Sequence, residues 1–93
     1  MAITIADIRF EYHDYDERGD TLFLSVKAPV GHPPDRAYET PEGHVVEYDE
    51  RGAVVSIELL NARWLLEREG ELRVTLPEHR AIADSDELAA ALA

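Results

Sequence analysis

Ninety-three residues, 45% of them hydrophobic, fit one domain spanning 1–93, and a chain this short buries roughly two-thirds of the surface its unfolded form exposes. Twenty acids against nine bases give a net charge of −11, which repels phosphate backbones and anionic bilayers and argues against nucleic-acid and membrane binding. The absence of cysteine excludes disulfides and thiolate chemistry. The opening Met-Ala-Ile-Thr-Ile-Ala-Asp has no basic region and no long apolar run, so neither a signal peptide nor a membrane span is expected, and the protein is expected to be cytoplasmic. Twelve of the acids and four of the bases lie in residues 1–50, so a basic partner would feel the first half of the chain most.

In chain order, Ile3 to Tyr15 reads as a half-buried strand, with Ile8, Phe10 and Tyr12 alternating against Arg9, Glu11 and His13. A turn at 15–20 leads to a second strand, Thr21 to Lys27, with Leu22, Leu24 and Val26 on one face. Together they form a first hairpin over about 3–27. Residues 28–43 hold Pro29, Gly31, Pro33, Pro34, Pro41 and Gly43, too many breakers for a regular element. This long connection is a candidate contact surface, and Ala37 to Thr40 is suited to a short edge strand within it.

A second hairpin spans 44–60. Val45–Tyr48 and Ala53–Leu60 flank Asp49-Glu50-Arg51-Gly52, where Gly52 can take the positive φ that closes the turn. Val55, Ile57 and Leu59 mark the core face, opposite Ser56 and Glu58 on a wet one. The pentapeptide Tyr-Asp-Glu-Arg-Gly occurs at 15–19 and again at 48–52, which reads as one turn solution used twice.

Over 61–76 two readings compete. Asn61 could cap a helix from Ala62 to Glu69, anchored by Trp64 and ended by Gly70; alternatively Trp64–Arg68 and Leu72–Leu76 form a third hairpin. The helix is preferred, with a strand following over Glu71–Leu76, stopped by Pro77. A terminal helix at 84–93 starts with Asp84 and Glu87 in capping-box spacing, and Leu88 and Leu92 must dock on this sheet or on a neighbour to hold it.

The four histidines, His13, His32, His44 and His79, show no metal-ligand spacing. His13 with Asp14, Asp16 and Asp20 is the candidate metal set, near a turn that lacks the pattern of a calcium hand. Ser25 and Ser56 lie inside expected strands without a nucleophile elbow, and no glycine-rich phosphate loop occurs. No catalytic residue, metal or cofactor is therefore assigned. The candidate partner contacts are Asp16, Glu17, Asp20, Asp49, Glu50, Trp64, Leu88 and Leu92.

Tyr15-Asp16-x-x-x-Asp20-x-Leu22-x-Leu24, followed by Glu47-Tyr48-Asp49-x-x-Gly52 and Ile57-Glu58-Leu59-Leu60-Asn61-Ala62, resembles the small prokaryotic domain of unknown function 2283 over about residues 12–63. Ser56 stands where that family usually has Gly, and Glu47 where Asp is common. The resemblance implies an antiparallel-sheet module without an established enzyme activity, some members being encoded beside small toxin-like proteins. It supplies no catalytic residues.

The expected fold is α+β: a small antiparallel sheet of two consecutive hairpins plus a further strand, with one or two short helices toward the C-terminus. The expected function is a non-enzymatic protein-interaction module, self-associating or binding a basic partner such as a small toxin. The alternative is a small metal- or ligand-binding or hydrolytic domain that uses its acidic turns.

Overall fold

Period-two alternation in two runs builds the centre of the fold. In a computed structural model that describes residues 2–28, 34–76 and 80–93, β1 (Ile3–Ile5) and β2 (Ile8–Phe10) form a small hairpin. β3 (Tyr12–Asp16), β4 (Thr21–Ser25), β5 (Arg36–Glu39), β6 (Val45–Tyr48) and β7 (Val54–Leu60) form a five-stranded antiparallel sheet of order β3-β4-β7-β6-β5. Helix α1 (Ala62–Glu69) follows, then the two-stranded β8 (Leu72–Thr75) and β9 (Arg80–Ala83), and finally helix α2 (Ser85–Leu92).

The α+β architecture and both expected hairpins are present, and β4 pairs with β7 so that the hairpins merge into one sheet. Register places Leu24 and Val46 on either side of Ile57, and Leu22 beside Leu59, all within 1% of complete burial. Ile3, Ile5, Phe10, Leu72, Val74 and Leu88 belong to the same core. No helix among the described residues is long and apolar enough to cross a membrane.

Four expectations change. The first strand is broken: Ala6 and Asp7 both take positive φ, 49° and 65°, the geometry of a two-residue hairpin turn. The apolar positions switch from odd (Ile3, Ile5) to even (Ile8, Phe10) across that turn, because each arm keeps its own alternation. A further strand, β9, pairs with β8; its alternation is carried by Ala81 and Ala83, small residues with little apolar weight. The second face of β7 is not simply wet. Ser56 is buried, donating its hydroxyl to Glu47 Oε1 at 2.5 Å.

The fourth change concerns α1, which is a helix as preferred, so the third-hairpin reading falls. Asn61 does not cap it through its side chain, since φ 56° and ψ 39° place that residue in the left-handed region. Trp64 is no anchor either, being 53% exposed. The C-terminal end follows expectation: Gly70, at φ 76°, donates its N–H to the Leu66 carbonyl. On α2, Asp84 accepts from the N–H groups of Asp86 and Glu87, while the Glu87 carboxylate turns away to accept the N–H of Thr4. Leu88, Ala91 and Leu92 then lie buried on one side of α2, within the chain's own core.

Ile57→Asp is expected to abolish cooperative unfolding. A buried charge without a partner costs several kcal/mol, comparable to the roughly 5–15 kcal/mol that hold a domain together. A thermal melt followed by circular dichroism reads this directly, and a cooperative transition in the variant would overturn the core-face assignment.

Candidate functional site

Two polar junctions fix the ends of the sheet to the rest of the molecule, and one of them leaves a groove at the surface. The first junction is Asp20. At the end of the β3–β4 turn it takes φ 50°, a conformation that Asp tolerates better than most residues. Its carbonyl accepts the Ala62 N–H at 3.0 Å, Oδ1 accepts Arg63 N–H at 2.8 Å, and Oδ2 accepts Trp64 N–H at 3.1 Å. The Tyr15 hydroxyl donates to Oδ1 at 2.8 Å, and the Arg63 guanidinium lies 5.1 Å from the centroid of the Tyr15 ring. Asp20 thus caps α1 from another element, doing what Asn61 was expected to do. Partial burial works to raise its carboxyl, but the Arg63 N–H, the Tyr15 hydroxyl and the Trp64 N–H outweigh it and hold the group below the ordinary carboxylate value.

The second junction is the turn between β5 and β6. Thr40 N–H donates to the His44 carbonyl at 2.7 Å, and Gly43, at φ 92°, donates to the Thr40 carbonyl at 2.9 Å. Glu42 reaches across to β8, its two oxygens accepting the Thr75 N–H at 3.0 Å and the Thr75 hydroxyl at 2.7 Å. His44 is only 1% exposed, and its Nδ1 accepts the Leu60 N–H at 3.0 Å. That bond places the neutral ring's proton on Nε2, which is buried and makes no hydrogen bond to the described residues. Burial lowers the imidazole against the opposing pull of the Glu42 charge.

Beside this turn a groove of about 470 Å³ opens on the core-side face of the sheet margin. Arg36, Tyr38, Val46 and Tyr48 line it from the strands, and Leu76 lines it from beyond β8. Tyr48 is 7% exposed and Tyr38 is 55% exposed; their rings meet edge to face at 5.6 Å. Every residue of β5 is exposed, and among the described residues the strand has a neighbour, β6, on one side only. An apolar floor, a tyrosine wall and an open backbone edge suit recognition of an extended chain.

The residues singled out from sequence do not gather here. Asp16 and Glu17 are exposed at the β3–β4 turn, which lies at the C-terminal end of β7, whereas Asp49 and Glu50 lie at its N-terminal end. The acidic turns are therefore at opposite ends of the sheet. His13, paired with Leu24, projects from the face opposite to Asp14, paired with Phe23, and Asp20 is committed to α1. The candidate metal set is thus not assembled, and among the described residues no group of three or more His, Asp or Glu is placed to hold a metal ion. Trp64 lies on the surface with the Arg68 guanidinium 4.9 Å from its ring centroid. Leu88 and Leu92, considered as partner contacts, are 0% and 4% exposed, so they face the core and not a partner. His32 and His79 lie outside the described residues. The edge strand within the long connection was legible from its proline flanks, but nothing in the spacing of Tyr38 and Tyr48 indicated that they form one wall.

Two titrations test the junctions. Asp20→Ala should cost about 1–3 kcal/mol through lost capping, read as a lower Tm. The folded carboxyl sits below its unfolded value of roughly 3.9. Its stabilisation is therefore complete above that pH and is lost as pH falls through the folded value. Asp20→Asn should flatten this acid limb. For His44 the folded pKa lies below the unfolded value near 6.5, so stability should fall as pH drops beneath that value, where the unfolded chain binds more protons. His44→Asn keeps an acceptor for Leu60 and should remove the slope of Tm between about pH 7 and pH 5; an unchanged slope would refute the buried neutral ring.

Comparison with known proteins gives one result. The model of the family described as "Protein of unknown function (DUF2283)" matches residues 13–63, from β3 to the start of α1. No curated protein and no solved structure matches. Matched over more than half of its length, the chain belongs to this family.

Proposed function

We propose that this family member is a non-enzymatic protein-interaction module that binds a basic protein. Neutralisation of a small toxin is the specific form suggested by the company that similar domains keep. The observation carrying this reading is the exposed margin of the sheet, β5 with its neighbouring groove, on a chain of net charge −11. Such a charge attracts a basic surface over about 10 Å at 0.1 M salt, while the apolar groove supplies short-range contact.

Several carboxylates already serve the fold. Asp16 and Asp49 accept N–H groups inside their turns, Asp20 and Asp84 cap helices, and Glu42 holds Thr75. Asp14 and Glu50 are exposed acids outside these bonds, and among the described residues Glu17 makes only a long 3.9 Å ion pair with Arg63. These three can be reversed without removing a cap.

Affinity capture from the native cytosol should recover one basic protein in stoichiometric amount at low salt. Recovery should fall sharply above about 0.5 M salt, where the Debye length shrinks to a few ångströms. It should also fall with Asp14→Lys, Glu17→Lys and Glu50→Lys combined. Recovery indifferent to both salt and charge reversal would overturn the electrostatic reading.

A further inference from the structure

We propose that β5 is the docking edge, and that the partner adds an extended segment to it as a sixth strand in which apolar residues alternate with Lys or Arg. This rests on the interaction reading above and names where and how the contact is made.

Backbone geometry comes first. The β5–β6 ladder runs in regular register from Arg36↔Tyr48 to Glu39↔Val45, and the Thr40 N–H bond to the His44 carbonyl continues it. Since hydrogen-bonded pairs alternate in an antiparallel ladder, Arg36 and Tyr38 direct their backbone groups to β6, while Ala37 and Glu39 direct theirs outward. The strand has no bulge and no proline between Arg36 and Glu39, devices that commonly block an edge. Pro34 and Pro41 bracket it and limit the added strand to a short segment.

Side chains then set the pattern. Arg36 and Tyr38 face the groove with Val46 and Tyr48, so the partner residue opposite Tyr38 projects into an apolar hollow of about 470 Å³. Partner residues on the other face meet Ala37 and Glu39, where a Lys or Arg finds a carboxylate. Residues 35–51, which carry β5 and β6, hold six acids and two bases, so the local field favours a cation as the chain's overall charge does.

A second copy of this chain fits the edge less well. A two-fold axis that extends the sheet must keep each face on its own side, so it pairs Tyr38 with Tyr38 or Ala37 with Ala37. In neither register does Arg36 come opposite Glu39, because the two project from opposite faces of β5. Each copy would also bring its net charge of −11.

The test uses the full chain and short blocked peptides in which Ile alternates with Lys, or Ile with Glu, titrated at low salt by fluorescence anisotropy. The Ile/Lys peptide should bind saturably, and the Ile/Glu peptide about tenfold or more weakly. Ala37→Pro removes an outward N–H at an edge where proline is tolerated, and it should weaken binding about tenfold, as should Tyr38→Ala. An Ile/Lys peptide N-methylated along one edge should lose affinity to the same extent, with the protein itself unaltered. Asp14→Lys with Glu17→Lys, at the far edge of the sheet, should have a smaller effect that added salt removes. Binding that ignores Ala37→Pro and N-methylation, yet disappears with the far-edge reversal, would overturn the β5 site and leave the interaction reading standing. Absence of binding by any basic peptide, together with a failed capture, would overturn both. A concentration-dependent dimer abolished by Ala37→Pro would assign the edge to a second copy and overturn the basic-segment proposal.

Discussion

The Asp20 carboxylate is the constraint on which the path of the chain depends. Strand β7 ends at Leu60, and the chain must turn at once from an extended to a helical course. Asn61 makes that turn in the left-handed region, which leaves the first N–H groups of α1 facing back toward the start of β4. A helix of eight residues is too short to hold itself in water, and the N–H groups of its first turn have no acceptor within the helix. Asp20 supplies three acceptors, one backbone and two side-chain, from an element some forty residues away in sequence. The Tyr15 hydroxyl and the overlying Arg63 guanidinium then fix the carboxylate's own position. One residue thereby sets where α1 begins, and so where β8 and β9 return to the core.

The repeated pentapeptide shows how a single piece of turn chemistry serves two ends. In both copies the aspartate side chain accepts the N–H two residues on: Asp16 from Arg18 at 3.1 Å and Asp49 from Arg51 at 2.9 Å. After that the copies diverge. In the second, Gly52 takes φ 83° and Asp49 also accepts Ala53 N–H, closing the β6–β7 hairpin. In the first, the positive φ falls one residue later, on Asp20, whose carboxylate is thereby turned toward α1. Glycine at the left-handed position would make a turn and nothing more; aspartate there makes a turn and a helix cap.

What could be read from sequence follows the range of the interactions involved. Alternation in β4 and β6 and over Ile57–Leu59 of β7, the Gly70 end of α1 and the Asp84 start of α2 are local patterns, and each is found where it was expected; at the start of β7 a register shift puts Val54, and not Val55, against the core. The β1–β2 turn was hidden because Ala6 and Asp7 are not a usual pair for two successive positive φ values, although the change of parity between Ile5 and Ile8 records it. β9 was hidden because alanines carry its buried face. The capping of α1, the burial of His44 and the groove beside Tyr38 depend on residues far apart in sequence, and composition and period do not report such meetings. Leu88 and Leu92 had the right pattern for burial, and the pattern alone did not say whose core they would enter.

Charge at this surface divides into two kinds with different consequences. Carboxylates that accept backbone N–H groups are held in one orientation by the turn or helix start they serve, and they offer a partner's cation only the lone pairs those bonds leave over. Asp16, Asp20, Asp49 and Asp84 are of this kind, and their charge adds to the field around the chain. The field accelerates encounter and is screened by salt, but it selects no orientation. Orientation has to come from groups that the fold leaves available, and on β5 these are the outward backbone groups of Ala37 and Glu39, the Glu39 carboxylate and the exposed ring of Tyr38. Backbone pairing is indifferent to partner sequence, so the groove and the carboxylate on opposite faces of one strand must supply selectivity. On the proposed docking edge they would do so by reading alternate residues, as a sheet edge naturally does.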